Sequence, residues 1–388
     1  MNDAVVKPGL EAAFPKAELD ARVDAARAAL AARGIDVMIV TGPENIFYLT
    51  GQQTPGYYTY QALLLPVDEE PVFIVRNLEF NNLVANSYVS NIRPYLDNAD
   101  PVTETIDAIN DMGWQSKRIA IDERGWFFPI AIYKALQEKL GALHDGSGAI
   151  EKLRAVKSPA EIEKLEISAS YVKAGMTAGL AAVRAGATEN EIVAEMMGKA
   201  IAAGSEYVGM EPLMASGPRC GIPHGTWRRR TIVDGDPVFL EMAASHDRYH
   251  ASLMRSCWIG TPPDVARRMM DCVLEALDAS LKALKPGATC AAVHEACQAV
   301  VDRYGYTENF KKRAGYSVGI SFAPDWGEGN VLSLYTGIDT EIVPGMAFHI
   351  PPAVRIYGEF TVGVSEVAVV TDDGCRTLSN IDRDLLII

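Results

Sequence analysis

The sequence predicts an α+β protein of two domains: a small α/β domain over residues 1–154, then a larger, internally duplicated domain over 155–388. Three observations carry this. Short apolar strands and periodic helices alternate through the first part of the chain. A strong helix start at Ser158-Pro159-Ala160-Glu161 marks a boundary. Finally, the run Ala182–Thr188 (AVRAGAT) is echoed by Ala283–Thr289 (ALKPGAT).

Residues 21–34 have helical periodicity, with Gly34 as the stop, and Ile35–Val40 follow as a short apolar strand. Asn45–Gly51 intervenes before strands at 62–66 and 71–76, a helix near 101–113 and a strand at 118–122. At the boundary, Ser158 can cap, Pro159 suits the first turn and Glu161 completes a capping box, so a helix is expected from about 159 to about 184. In both copies of the repeat a long helix precedes the Gly-Ala-Thr turn and another follows. Two similar halves would leave a site between them.

The net charge of −14, from 36 basic and 50 acidic side chains, argues against a nucleic-acid partner. No run reaches the ~18 apolar residues of a membrane span, and the N-terminus lacks an apolar run of signal-peptide length. The six cysteines show neither Cys-x-x-Cys spacing nor the density of a disulfide framework. A cytoplasmic protein with reduced thiols is expected, with no nucleic-acid or membrane partner.

Six segments, NIFYLTG (45–51), LRAVKSPAEIEKL (153–165), PHGT (223–226), DGDPVFLE (234–241), PGMAFHIPP (344–352) and VVTDDG (369–374), span nearly the whole chain. In content and order they resemble the landmarks of the creatinase/aminopeptidase, or pita-bread, family. The resemblance implies a creatinase-like N-terminal domain followed by a duplicated pita-bread catalytic domain. It is less specific for the reaction.

Metal-dependent members of that family hold two divalent ions with five side chains. At the matching positions this chain has Glu241, Ser252, Tyr316 (in Gly315-Tyr316-Ser317-Val318-Gly319), Pro351 and Ser365, with Glu366 one residue off register. A dinuclear site for hard cations needs several carboxylates and usually a histidine, so no metal and no other cofactor is expected.

His224 matches the histidine that creatinase-like members use for proton transfer, a role suited to imidazole. Glu241 shares a strand face with Phe239 and Ala243. A carboxylate among apolar residues must find a partner, either an arginine such as Arg255 or a cationic substrate. Glu359 and Glu366, on the last strands, are candidates for a second catalytic carboxylate. Tyr57, Trp227, Tyr316 and Trp326 are candidates for an aromatic wall, where Trp326 in its polar loop could hold a cationic ring. An inward member of Arg228-Arg229-Arg230, taken as Arg229, could clamp a substrate carboxylate. His349 is a further candidate lining residue.

An amidinium or guanidinium carbon already carries positive charge and accepts a nucleophile with help from a carboxylate and a histidine alone. Glu241, HGTWRRR (224–230) and APDWGEG (323–329) further resemble the ectoine hydrolases, creatinase-like enzymes of compatible-solute breakdown. That resemblance implies a small zwitterionic amidine as substrate, opened to N-acetyl-2,4-diaminobutyrate. A guanidino-acid amidinohydrolase, a metal-dependent dipeptidase and a non-catalytic binding module are the alternatives. The family's two-domain members also imply a homodimer in which the loop 51–58 reaches the partner's active site.

Overall fold

The computed structural model describes residues 6–388. The chain forms two compact units, one ending at Arg154 and the other spanning Ala155–Ile388.

The first unit is built on one mixed sheet. Its strands are β1 (Val37–Val40), β2 (Ala62–Pro66), β3 (Val72–Arg76), β4 (Asn91–Tyr95), β5 (Ile119–Ile121) and β6 (His144–Asp145), in the order β4-β3-β2-β1-β5-β6. β1 and β3 each run antiparallel to β2, and the remaining neighbours are parallel. The central strands are uniformly buried, as expected where both faces are covered. The helices are α1 (Lys16–Ala31), α2 (Pro43–Thr50), α3 (Phe80–Asn86), α4 (Pro101–Asp111), α5 (Ile130–Leu140) and α6 (Glu151–Arg154). The NIFYLTG segment forms most of α2, and Gly51 ends that helix at φ 79°. The sequence reading omitted β4, α3 and α5. β4 contains Pro94 and is only partly buried, so its apolar signal is weak.

The second unit opens with α7 (Pro159–Ala182), and the Ser158–Glu161 capping box forms as expected. Such a cap contributes about 1 kcal/mol. Next come α8 (Glu189–Ala203), β7 (Leu213–Ser216) and the long hairpin of β8 (Pro237–His246) and β9 (Tyr249–Trp258). The second half repeats the plan with α9 (Asp264–Ala283), α10 (Cys290–Tyr304), β10 (Gly315–Ser317), β11 (Ser333–Leu334), β12 (Ala347–Ile350), β13 (Ala353–Ile356), β14 (Phe360–Gly363), β15 (Glu366–Val370), β16 (Cys375–Thr377) and β17 (Leu386–Ile387). The sheets run β17-β9-β8-β7 and β11-β10-β12-β15-β16, with β13-β14 as a separate hairpin.

The duplication is visible bond by bond. Ala187 O accepts from Ile232 N at 2.8 Å and Gly186 N donates back to Ile232 O at 2.9 Å. In the second half Ala288 O accepts from Ile342 N at 2.7 Å and Gly287 N donates to Ile342 O at 3.1 Å. Thr188 caps α8 and bridges Thr231, while Thr289 caps α10 and bridges Glu341. Counted from Ile232 and Ile342, Glu241 and Pro351 occupy equivalent places.

Candidate active site

β8 carries Glu241 opposite Met254 of β9, and Ala243 opposite Ser252. Alternation puts these four side chains on one face and Leu240, Met242 and Arg255 on the other. The second face packs on α7, where Gly175 and Gly179 admit Met242 and Leu240; a Cβ at Gly175 would lie 2.7 Å from the Met242 methyl. Arg255, opposite Leu240, therefore points away from Glu241 and is not its partner. Instead it donates to Glu366 Oε1 at 2.9 Å and to the carbonyls of Ser365 and Met254.

Glu241 is 8% exposed, and its carboxylate makes no hydrogen bond or ion pair among the described residues. Burial raises its pKa, while Lys312 and Arg355 pull it down. Those two cations, and Asp325 in the opposite sense, also act on His224, so Glu241, Lys312, Arg355, Asp325 and His224 form one electrostatic cluster. Burial pushes Lys312 down to about 8, helped by Arg355 and opposed by Glu241. Arg355 is lowered by burial as well, and its Nε is buried without an acceptor. Neither cation makes an ion pair within 4 Å among the described residues.

His224 sits in the Pro223-His224-Gly225 loop at φ 54°, a left-handed conformation uncommon for a residue with a Cβ. Its surface is open to solvent. Partial desolvation and the positive charges of Arg355 and Lys312 lower its pKa, against the opposite pull of Asp325, which favours the neutral imidazole.

Tyr316 is the centre of a second group. Its hydroxyl accepts from Trp326 Nε1 at 3.0 Å and lies 2.9 Å from His349 Nδ1. The Arg313 guanidinium stands 4.6 Å from the centre of its ring. Trp326 packs with Leu213 and Ala243, Glu241's neighbours on the same sheet, and Glu241 acts on the Tyr316 phenol. Gly327 lets the loop press on Tyr316, since a Cβ there would lie 2.4 Å from the ring. The loop is anchored by the buried ion pair of Glu328 with Lys157 at 2.7 Å. His349 is fully buried and held neutral by burial and nearby cations, and its Nε2 has no partner.

The remaining expected site residues have the following surroundings. Glu359 is exposed in the turn between β13 and β14; two residues short of a strand interior, it is carried outward by the hairpin. Glu366 begins β15 fully buried, with Oε1 bound by Arg255 and also by Arg383 at 3.2 Å, while its Oε2 is buried without a partner. Arg229 is exposed. The inward member of the triplet is Arg230, which is taken by Asp236 (2.9 Å) and Ser216 (2.9 Å). Trp227 is half-buried, in a loop held by Glu189 through Arg219 and the Arg228 amide. Tyr57, in the first unit, packs edge-on against Phe127 with centroids 5.4 Å apart.

Lys312 and Arg355 were missed. Lys311-Lys312-Arg313 reads as a solvated basic run. Arg355 had a usable signal, because a charge inside Ala353-Val354-Arg355-Ile356 raises the same question as Glu241.

The Metallopeptidase family M24 profile matches residues 163–372, and the Creatinase/Prolidase N-terminal domain profile matches 22–156. The chain belongs to family M24. It is 29% identical over 396 aligned positions to the ectoine hydrolase of Halomonas elongata, covering 96% of this chain and 98% of that protein. It is 27% identical to the Xaa-Pro dipeptidase of Lactobacillus helveticus, covering 91% and 95%. The prolidase of Thermococcus sibiricus matches with a TM-score of 0.85 at 23% identity, covering 95% of this chain and 99% of that one, a likeness of fold.

Family M24 implies divalent metal, and the donor set of this chain does not fit it. Among the described residues no three His, Cys, Asp or Glu side chains converge into a group able to hold an ion. Ser365 Oγ accepts from the Met254 amide at 2.8 Å, and Pro351 has no donor atom in its side chain. The groups acting on Glu241 are two cations, which would repel a dication.

Proposed function

We propose that this M24 hydrolase works without metal and opens the cyclic amidine ring of ectoine to N-acetyl-2,4-diaminobutyrate. The observation that carries the reading is Glu241: a buried carboxylate with no ion-pair or hydrogen-bond partner among the described residues. A carboxylate in that setting accepts a cationic substrate group, and an amidinium is a planar cation with N–H donors on both sides. The resemblance along nearly the full chain to an ectoine hydrolase supports the choice of substrate.

In this reading Glu241 pairs with the amidinium and orients its central carbon, or attacks it directly as a carboxylate nucleophile. Neutral His224 takes a proton from water as the water adds, and returns it to the ring nitrogen as the C–N bond breaks. The product keeps one nitrogen as an acetamide, releases the other as an amine and is one water heavier than the substrate. The buried Trp326 and the partly buried Tyr316 shield one side from bulk water.

The test is mass spectrometry of ectoine incubated with purified protein in excess chelator. A gain of one water supports the reading. Activity only after manganese is added, or turnover of Xaa-Pro dipeptides in place of ectoine, refutes it.

A further inference from the structure

The charges acting on Glu241 are both positive, while Asp325 acts on His224 and Tyr316. Glu241 supplies one carboxylate; Lys312 and Arg355 supply two cations. Lys312 lies in the segment before β10 and Arg355 in β13; the Asn309 side-chain amide ties that segment to β13 by donating to the Arg355 carbonyl at 2.6 Å, and both cations act on Glu241. Neither has an ion-pair partner within 4 Å among the described residues, and Arg355 Nε is buried with nothing to donate to. Buried arginine donors are ordinarily satisfied, and Lys312 and Arg355 are each half-buried, where an unpaired cation is partly stripped of water. The contrast with Arg255 and Arg230 is instructive, because those guanidiniums are saturated by Glu366 and Asp236 with neighbouring oxygens. Lys312 and Arg355 are the cations of the site whose acceptor is absent.

We infer that Lys312 and Arg355 form a subsite for a carboxylate of the substrate, set beside Glu241, which takes the substrate's cationic group. The site is thus built for compact zwitterions, and Arg229 is not the clamp. Arginine offers a planar fork and lysine a point charge, so together they hold a carboxylate from two directions and fix the turn of the ring against Glu241. The cationic half of this assignment rests on the function proposed above; the carboxylate half rests on Lys312 and Arg355 alone. An incoming carboxylate would also stabilise the charged form of Lys312, which burial has lowered to about 8.

The experiment is calorimetric binding to the full chain in chelator, using two acid–amide pairs: ectoine with its carboxamide, and L-proline with L-prolinamide. The proteins are wild type, Lys312→Met, Arg355→Met and Arg355→Lys, each checked by circular dichroism and thermal melting. The wild type should bind the acids at least about tenfold tighter than the amides, the range of a charge-assisted bond. Lys312→Met and Arg355→Met should each shrink that ratio, Arg355→Lys should restore part of it, and any change in turnover should fall on KM rather than kcat. An unchanged acid-to-amide ratio in the folded variants, or no acid preference in the wild type, overturns the inference. If ectoine is not hydrolysed but the proline pair is discriminated through Lys312 and Arg355, the proposed function fails and the subsite stands. If ectoine is hydrolysed and both variants keep the wild-type ratio, the subsite fails and the function stands.

Discussion

The Tyr316 hydroxyl stands 2.9 Å from His349 Nδ1 across adjacent strands. The Trp326 indole can only donate, so it fixes one lone pair of the phenol. Burial keeps His349 neutral. If Tyr316 donates to Nδ1, the buried Nε2 carries a proton with no acceptor; if His349 donates, the phenol proton is free to reach a ligand. Either way the pair offers one uncommitted donor. Tyr316→Phe removes the phenol and its proton from the pair, and kcat should fall by about a hundredfold or more, with a shift in Trp326 fluorescence as the indole loses its acceptor. Unchanged kcat would leave the pair a purely structural role.

Glu241→Gln keeps the size of the side chain and removes its charge. On the proposed function, kcat should drop by about a thousandfold or more, the scale for a residue acting at the reacting carbon, while circular dichroism stays native. Glu241→Asp withdraws the carboxylate by one methylene and should fall in between. Steady-state kinetics with ectoine reads both.

Arg255 and Glu366 form a buried pair with 2% and 0% side-chain exposure. Arg255→Met leaves the Glu366 carboxylate with Arg383 alone and should cost about 3–5 kcal/mol in urea unfolding. Adding Glu366→Gln should recover a good part of that. A fully additive double variant would contradict the pairing.

His250 donates nothing to solvent: its Nε2 accepts from the Gly209 amide at 3.1 Å, and burial pushes its pKa down to about 3, helped by Arg248. The unfolded chain binds a proton near pH 6.5 that the folded chain refuses until about 3. Stability from this group is therefore whole above 6.5 and is lost as pH falls, by about 1.4 kcal/mol per pH unit between 6.5 and 3. Urea titrations of wild type and His250→Gln across pH 4 to 7 (about that range) should show a shallower slope in the variant.

Much of the fold was legible because it is written locally. Ser158 and Glu161 cap α7 through bonds spanning three residues, and the Gly-Ala-Thr repeats mark the two halves by turn chemistry. Within the site, Glu241 was legible for the same reason, as a charge inside an apolar alternation. Glu359 and Arg229 were misplaced because their neighbourhoods read alike whether they face inward or outward. Only the turn after β13 and the bonds of Arg230 to Asp236 decide that.

By itself, then, the sequence determined the two-domain α+β order and the duplication, and it put Ser252, Tyr316, Pro351 and Ser365 where the family resemblance leads one to expect metal-binding side chains. The order and the duplication follow from residue type and short-range spacing. Only the tertiary structure decided which charges meet. Arg255 went to Glu366 because strand alternation turns it from Glu241, while Lys312 and Arg355, far from Glu241 in the chain, were carried to it by the segment before β10 and by β13. Burial then gives those encounters their energy, since a charge removed from water must be answered by whatever the fold, or a ligand, brings beside it.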